Sequence, residues 1–272
     1  MSRYFPILLG LVIIVMSLGP GFVPASIPAV AAQSINDEGD GTWRRIHVPI
    51  LMYHYVSPLP ADADAFRIDL TVEPPIFRAH MQYLADSGYT TISLYELHDA
   101  LNHGRSLPPN PIVLTFDDGY TDHYDFVFPT LLEFGFSGTF FIITGRADSG
   151  NPNHLNWVQI MEMAQAGMRM EGHTRTHLDL RARDRDFLVF EIVGSLESLY
   201  AHTGQEARMF SYPAGRYDDD TLRIMNSSRV LRAVTTQIGA YHTTDNAMEL
   251  RRLRVHGNLS VAGLDQLLRS SR

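Results

Sequence analysis

The chain has 272 residues, a formal net charge of −8, 45% apolar and 19% charged residues, and no cysteine. It is long enough for one large or two small soluble domains, and without cysteine it carries no disulfide, thiolate metal site or thiol nucleophile. The acidic balance argues against general nucleic-acid binding, and all 22 basic residues are arginine, which excludes lysine-based chemistry.

Arg3 precedes an apolar run from Ile7 to Leu18, then Gly19-Pro20-Gly21 and small residues ending Ala29-Val30-Ala31-Ala32. This pattern predicts a secretory signal over 1–32, cleaved in preference to being retained as an anchor, because a run of about a dozen residues falls short of the roughly 20 needed to span a bilayer. Residues 33–46, with Ser34, Asp37, Glu38, Gly39, Asp40 and Gly41, read as a polar linker, leaving 47–272 as one folded domain. From there short apolar runs alternate with amphipathic segments. Strands are expected at Val48–Met52, Thr90–Ile92, Ile112–Phe116, Gly138–Ile143, Met168–Glu171, Met209–Tyr212, Leu231–Thr235 and Leu253–His256. Helices are expected at Pro75–Ala85, from Ser93 to about Leu101, and at Tyr124–Phe134, Trp157–Ala166, Asp186–His202, Asp219–Ser227 and Ser260–Arg269. Strands alternating with helices predict a parallel sheet with right-handed crossovers. Seven or eight such units favour closure into a barrel.

Sites in parallel α/β folds gather where strands give way to loops. Four clusters sit at such points. Thr115-Phe116-Asp117-Asp118-Gly119-Tyr120 puts two adjacent carboxylates after a strand. Their mutual repulsion calls for a cation, although the same residues can simply form an Asp-Asp-Gly turn. His173 and His177 share one face if their segment is helical, and two imidazoles plus one carboxylate suit a hydrolytic metal centre. Read alone, they are as readily ordinary histidines. Phe210-Ser211-Tyr212-Pro213-Ala214-Gly215 ends a strand in Pro and Gly, releasing backbone N–H groups that can receive an oxyanion; a plain turn is the other reading. His54 ends the first strand. Trp157 is either a sugar-stacking ring or a core anchor. No Gly-x-Ser-x-Gly elbow occurs.

Thr115–Tyr120, His173-x-x-x-His177 and Tyr212-Pro213-x-Gly215, in this order with a strand before each, resemble the polysaccharide deacetylases, carbohydrate esterase family 4 with the NodB-homology domain. Val48–His54 and Arg252–Val255 resemble a secreted branch of that family, so the likeness runs over about Val48–Arg272. It implies a single-domain distorted (β/α) barrel of seven or eight parallel strands that hydrolyses N-acetyl groups on sugars. By resemblance Asp117 is the general base. Asp118, His173 and His177 bind a divalent metal, zinc first, with cobalt or nickel as alternatives. The Ala214 amide, beside Tyr212 and Pro213, helps hold the oxyanion as water attacks the acetamide. Two departures stand out. Many relatives carry an Arg where this chain has Ser211, and Arg252 or Arg254 is expected to steer the base instead. The Leu-x-His motif bearing the family's acid has no plain counterpart; His54 is the first candidate and His256 the second. The implied partner is an acetylated amino-sugar polysaccharide (poly-N-acetylglucosamine, peptidoglycan or a chitin-like polymer), outside the cytoplasm or at the cell surface. No nucleic acid is implied, no stable membrane insertion once the signal is cleaved, and a monomer is the default. Two alternatives are a non-catalytic glycan- or wall-binding member of the fold and a metal-dependent amidase or O-acetyl esterase on small substrates.

Overall fold

The computed structural model describes residues 39–257 and 259–271. The expected signal segment lies outside the described residues. Among the described residues no helix is long and apolar enough to cross a membrane.

Seven parallel strands form the centre: β1 (Ile50–Tyr53), β2 (Pro111–Phe116), β3 (Thr139–Ile142), β4 (Arg169–Gly172), β5 (Met209–Ser211), β6 (Arg232–Ile238) and β7 (Leu250–Arg254). Each pairs with the next, and β7 pairs with β1, so the ring closes in chain order. An eighth strand, Thr90–Thr91, hangs on β2 outside the ring. The distorted (β/α) barrel is therefore seven-stranded. Its principal helices are α1 (Pro74–Asp86), α2 (Leu94–His103), α3 (Phe128–Glu133), α4 (Trp157–Gln165), α5 (Arg185–Thr203), α6 (Asp219–Ser227) and α7 (Val261–Ser270).

Local chemistry accounts for these elements. Pro74 and Pro75 open α1, where their missing N–H groups cost nothing. A Ser93–Glu96 capping box starts α2 and Gly104, at φ 66°, ends it. Asp184 caps α5. The single helix expected over Tyr124–Phe134 is instead a π turn, His123–Val127, followed by α3. Pro129 explains the change. Its ring crowds the carbonyl four residues back, and the preceding turn widens so that the Phe128 N–H reaches His123 O.

Two apolar clusters hold the layers together. The larger fills the space between strands and helices, with Tyr53, Phe77, Phe116, Phe140, Met170, Ile192 and Phe210 among its members. The smaller draws Ile50, Val113, Phe141, Met209, Val234 and Leu250 from six strands and Leu94, Leu97 and Leu101 from α2. It fills the lower barrel, and α2 closes the floor. Side chains alternate along a strand, so two residues further on the same rows become Thr115, Ser211 and Arg252. The barrel interior thus passes from apolar at its floor to polar at its mouth.

The described part of the expected linker does not hang free. Arg45–His47 pairs antiparallel with Tyr241–Thr243, Trp43 Nε1 donates to Asp245 (2.7 Å), and Arg44 pairs with Asp40. Polar composition conceals this docking because its bonds are backbone ladders and ion pairs, not apolar burial.

Candidate active site at the barrel mouth

β2 ends at Phe116, and the Asp117 N–H still donates to Tyr53 O (3.0 Å). The chain then turns through left-handed backbone at Asp118 (φ 75°) and Gly119 (φ 68°). The turn sends adjacent carboxylates in different directions. Asp117 faces the β7 side of the barrel and Asp118 faces the loop after β4.

Asp117 meets Arg252. Both are buried, and the guanidinium donates Nη1 to Oδ1 and Nη2 to Oδ2, each at 2.7 Å. Arg252 also reaches Thr115 Oγ1 (3.1 Å), Ser211 Oγ (3.2 Å) and Thr235 O (3.0 Å). Ser211 Oγ donates to Asp117 Oδ2 at 3.3 Å. So the strand position that holds serine in place of the expected arginine touches the same carboxylate, and the guanidinium arrives from β7. Burial alone would raise the Asp117 carboxyl. The charge and hydrogen bonds of Arg252 outweigh it and bring the group down to about 2.

Asp118 meets the histidine pair. Its Oδ1 lies 3.2 Å from His173 Nε2 and 3.2 Å from His177 Nε2. The segment is not a helix. Gly172 ends β4, and left-handed residues at Thr174 (φ 62°) and His177 (φ 63°) fold a tight loop that brings the two rings to 4.9 Å between centroids. His173 Nδ1 lies 2.6 Å from Ser211 O. A carbonyl only accepts, so Nδ1 carries a proton, and Nε2, turned towards Asp118, either donates to that carboxylate as imidazolium or offers its lone pair to a metal ion. Against the lowering effect of burial, Asp118 raises the basicity of the His173 imidazole, and either a proton or a metal ion can occupy the space between Nε2 and the carboxylate. Ligand atoms about 2.0–2.2 Å from one ion also sit roughly 3 Å apart. The donor set therefore fits a divalent metal. Burial would raise the Asp118 carboxyl, but its contacts with His173 and His177 hold it well below the usual range.

A second trio, His98, Asp99 and His103, is also close enough to share an ion. Its chemistry is poorer. Arg232 Nε donates to His98 Nδ1 (3.1 Å), which leaves the proton on Nε2, and Asp99 pairs with Arg105 (2.6 Å).

The other expected residues take varied places. His54 follows β1 at the level of Asp117. Its Nδ1 is buried with no partner, and burial lowers the imidazole to about 4 against the opposing pull of Asp117 and Asp118. His256 lies just past β7, next to Val255, whose N–H donates to Met52 O (3.1 Å). Its Nδ1 is 2.8 Å from Asp69 Oδ1, and the ring is half exposed. Arg254 reaches the same carboxylate at 4.0 Å. Ala214 is exposed with left-handed backbone (φ 51°) in the turn Pro213–Gly215. The Tyr212 side chain is built into the wall: its hydroxyl donates to Met248 O (3.0 Å) and its ring stacks on Tyr217. Trp157 lies apart from the cluster. It stacks flat on His202 (3.7 Å, 4°), and its Nε1 donates to Asp148 (3.1 Å).

Two contributors escape sequence reasoning. Asp69 belongs to a short helix, Ala65–Leu70, in an insert with no apolar period. Glu191 touches the site only through folded contacts. The alternation Arg252, Arg254, His256 along β7 and beyond is the one signal that could have placed all three at the mouth.

The arrangement is thus a buried, arginine-held carboxylate beside a carboxylate–dihistidine cation site, at the end where a parallel barrel carries its chemistry. The polysaccharide deacetylase family model matches residues 104–231. The chain is 33% identical over 235 residues to YxkH of Bacillus subtilis (strain 168), which bears the family's name, covering 85% of this chain and 81% of the relative. The Streptococcus pyogenes deacetylase PplD, solved in complex with acetate, superposes with a TM-score of 0.77 at 32% identity, over 83% of this chain and 99% of that one. A shorter match, 26% identical over 128 residues, joins 42% of the chain to 19% of the poly-β-1,6-N-acetyl-D-glucosamine N-deacetylase of Escherichia coli K12. Likeness of this extent, over most of the length of YxkH and PplD, places the chain among the polysaccharide deacetylases of carbohydrate esterase family 4.

Proposed function

We propose that the protein is a secreted, metal-dependent deacetylase that removes N-acetyl groups from an N-acetylglucosamine polysaccharide. The observation that carries this reading is the convergence of Asp118, His173 and His177 beside the Arg252-held Asp117. The likeness to the Escherichia coli enzyme over 128 residues supports poly-N-acetylglucosamine as the polymer to try first. Secretion rests on the signal-like pattern of residues 1–32.

Asp118, His173 and His177 would hold a divalent cation, zinc the first choice, which would supply Lewis acidity to the acetamide carbonyl and to a water. The chain's own residues do the rest. Asp117, ionised at every physiological pH, accepts the proton of the attacking water, and Arg252 fixes the direction of its lone pairs. The Ala214 N–H receives the developing oxyanion. The leaving amine takes its proton from His256, which replaces His54 as first candidate. Asp69 accepts from the His256 Nδ1–H, which leaves Nε2 free to deliver a proton. His54, held near 4 by burial, stays neutral and is a poor acid. The products are acetate and a glucosamine unit.

Acetate release from acetylated glucosamine oligomers, measured with and without chelator beside a panel of O-acetyl sugars and small amides, tests the reading. Chelator-sensitive release from the N-acetyl oligomers alone is expected. Release confined to O-acetyl or small-amide substrates, or none from any metal-loaded sample, overturns it.

A further inference from the structure

We propose that Glu191 is a positioning residue for the cation site: its buried carboxylate, on α5, sets the loop that carries both histidine ligands. The proposal rests on the metal reading above and concerns a residue that never touches the ion.

Glu191 is 1% exposed. Its Oε2 accepts the backbone N–H groups of Arg175 (3.0 Å) and Thr176 (2.9 Å), and its Oε1 accepts the Thr176 hydroxyl (2.7 Å). All three donors lie between His173 and His177. The rest of the loop is tied with equal care. His173 N–H donates to Ile142 O (3.1 Å), Thr144 N–H to Thr174 O (3.2 Å) and Gly145 N–H to Arg175 O (2.9 Å). His177 N–H donates to Thr174 Oγ1 (2.8 Å). At Gly145 a Cβ would lie 2.4 Å from Arg175 O, so glycine is what permits this approach.

The loop needs such support. Thr174 is β-branched and His177 is bulky, yet both hold left-handed backbone, an unfavourable conformation for such residues. Two consecutive N–H groups, those of Arg175 and Thr176, point inward and require acceptors. A carboxylate with several lone pairs satisfies both and the hydroxyl as well; a neutral amide oxygen cannot do so with equal strength. The consequence falls unequally on the two ligands. His173 is also anchored through Nδ1 to Ser211 O. His177 is tied through its own backbone, so its Nε2 stays beside Asp118 only while the loop keeps its shape. Glu191 thereby pre-organises the second histidine, as an outer group that fixes a ligand rather than binding the ion.

The test is cation affinity, not turnover. Full-length apo-protein is titrated with Zn²⁺ against a chromophoric competitor, and with Co²⁺ to read the ligand field. Wild type is compared with Glu191→Ala, Glu191→Gln and Thr176→Val, and with Asp118→Ala as the site control. Circular dichroism confirms that each is folded at the temperature used. Glu191→Ala is expected to weaken Zn²⁺ binding by about 10–100-fold and to change the Co²⁺ spectrum. Glu191→Gln is expected to fall between it and wild type. Thr176→Val, which removes one hydrogen bond, is expected to weaken binding by about three- to tenfold. A folded Glu191→Ala protein within about twofold of wild type overturns the proposal; if that variant does not fold, Glu191→Gln and Thr176→Val decide by the same criterion. Failure of wild type to bind, or equal binding by Asp118→Ala, overturns the metal reading itself and the proposal with it.

Discussion

Arg252 holds Asp117 through two parallel hydrogen bonds of 2.7 Å inside a barrel that buries both residues. The guanidinium fork both neutralises and aims the carboxylate. Arg252→Lys keeps the charge but loses the fork, so kcat is expected to fall by about 100-fold with KM little changed. Arg252→Met leaves a buried charge uncompensated and should cost about 3–5 kcal/mol in urea unfolding. A lysine variant with full turnover would remove the aiming role.

Metal removal tests the second half of the site. Asp118 and His173 are buried while the His177 side chain is 35% exposed, so an ion can enter from the His177 side. Dialysis against chelator should abolish acetate release, and Zn²⁺ should restore it. An ion at 100 times its dissociation constant should stabilise the fold by about 2.7 kcal/mol, seen as a higher Tm. Asp118→Asn should lose both effects. Activity that survives exhaustive chelation would refute the cation-based mechanism.

Much of this was legible in the residue string, for identifiable reasons. β2 and β3 are buried apolar runs, so their positions and the cluster at the end of β2 could be read directly, whereas β4 carries Arg169 and Glu171 and was placed by Met168, Met170 and the preceding Gly167. Asp117, Asp118, His173 and His177 stand next to those strand ends. The geometry that unites the histidines was not legible. Their spacing suggests a helix, but left-handed backbone at Thr174 and His177 makes a loop. Arg252 could be ranked only beside Arg254, because choosing between them requires knowing which residue of β7 faces Asp117. Asp69 was invisible, since it acts through contacts with Arg254 and with His256, the latter 187 residues away. Trp157 invites a sugar-stacking role, yet it is half-buried against the main apolar cluster and one of its faces lies on His202.

The two candidate acids separate cleanly. His256→Gln should lower kcat by about 10²–10⁴-fold, the usual worth of a general acid. Asp69→Asn should lower it less, since the imidazole survives but loses its orienting carboxylate. His54→Gln should fall far short of His256→Gln. Steady-state kinetics on one N-acetyl oligomer decide among them. If His54→Gln costs more than His256→Gln, the acid role passes to His54.

Acid sensitivity should come from two buried histidines that are not cation ligands. Burial lowers His123 and His242 to about 4 each. In both, Nε2 donates to a backbone carbonyl, of His54 (2.7 Å) and of Val48 (3.0 Å), and Nδ1 is buried without a partner. Protonation would put an unpaired N–H and a charge into the core. The sign follows. Each group is depressed in the folded state, so the unfolded chain takes up protons first as pH falls. Stability is complete above about 6.5 and is lost as pH drops towards 4. The displacement from 6.5 to about 4 is worth on the order of 3 kcal/mol for each histidine. Urea unfolding at pH 7.5, 6.5, 5.5 and 4.5 should show this decline, and His242→Gln, which has no such titration, should flatten it. A wild-type stability that is level down to pH 4.5 would show that these two imidazoles are not held neutral by the fold.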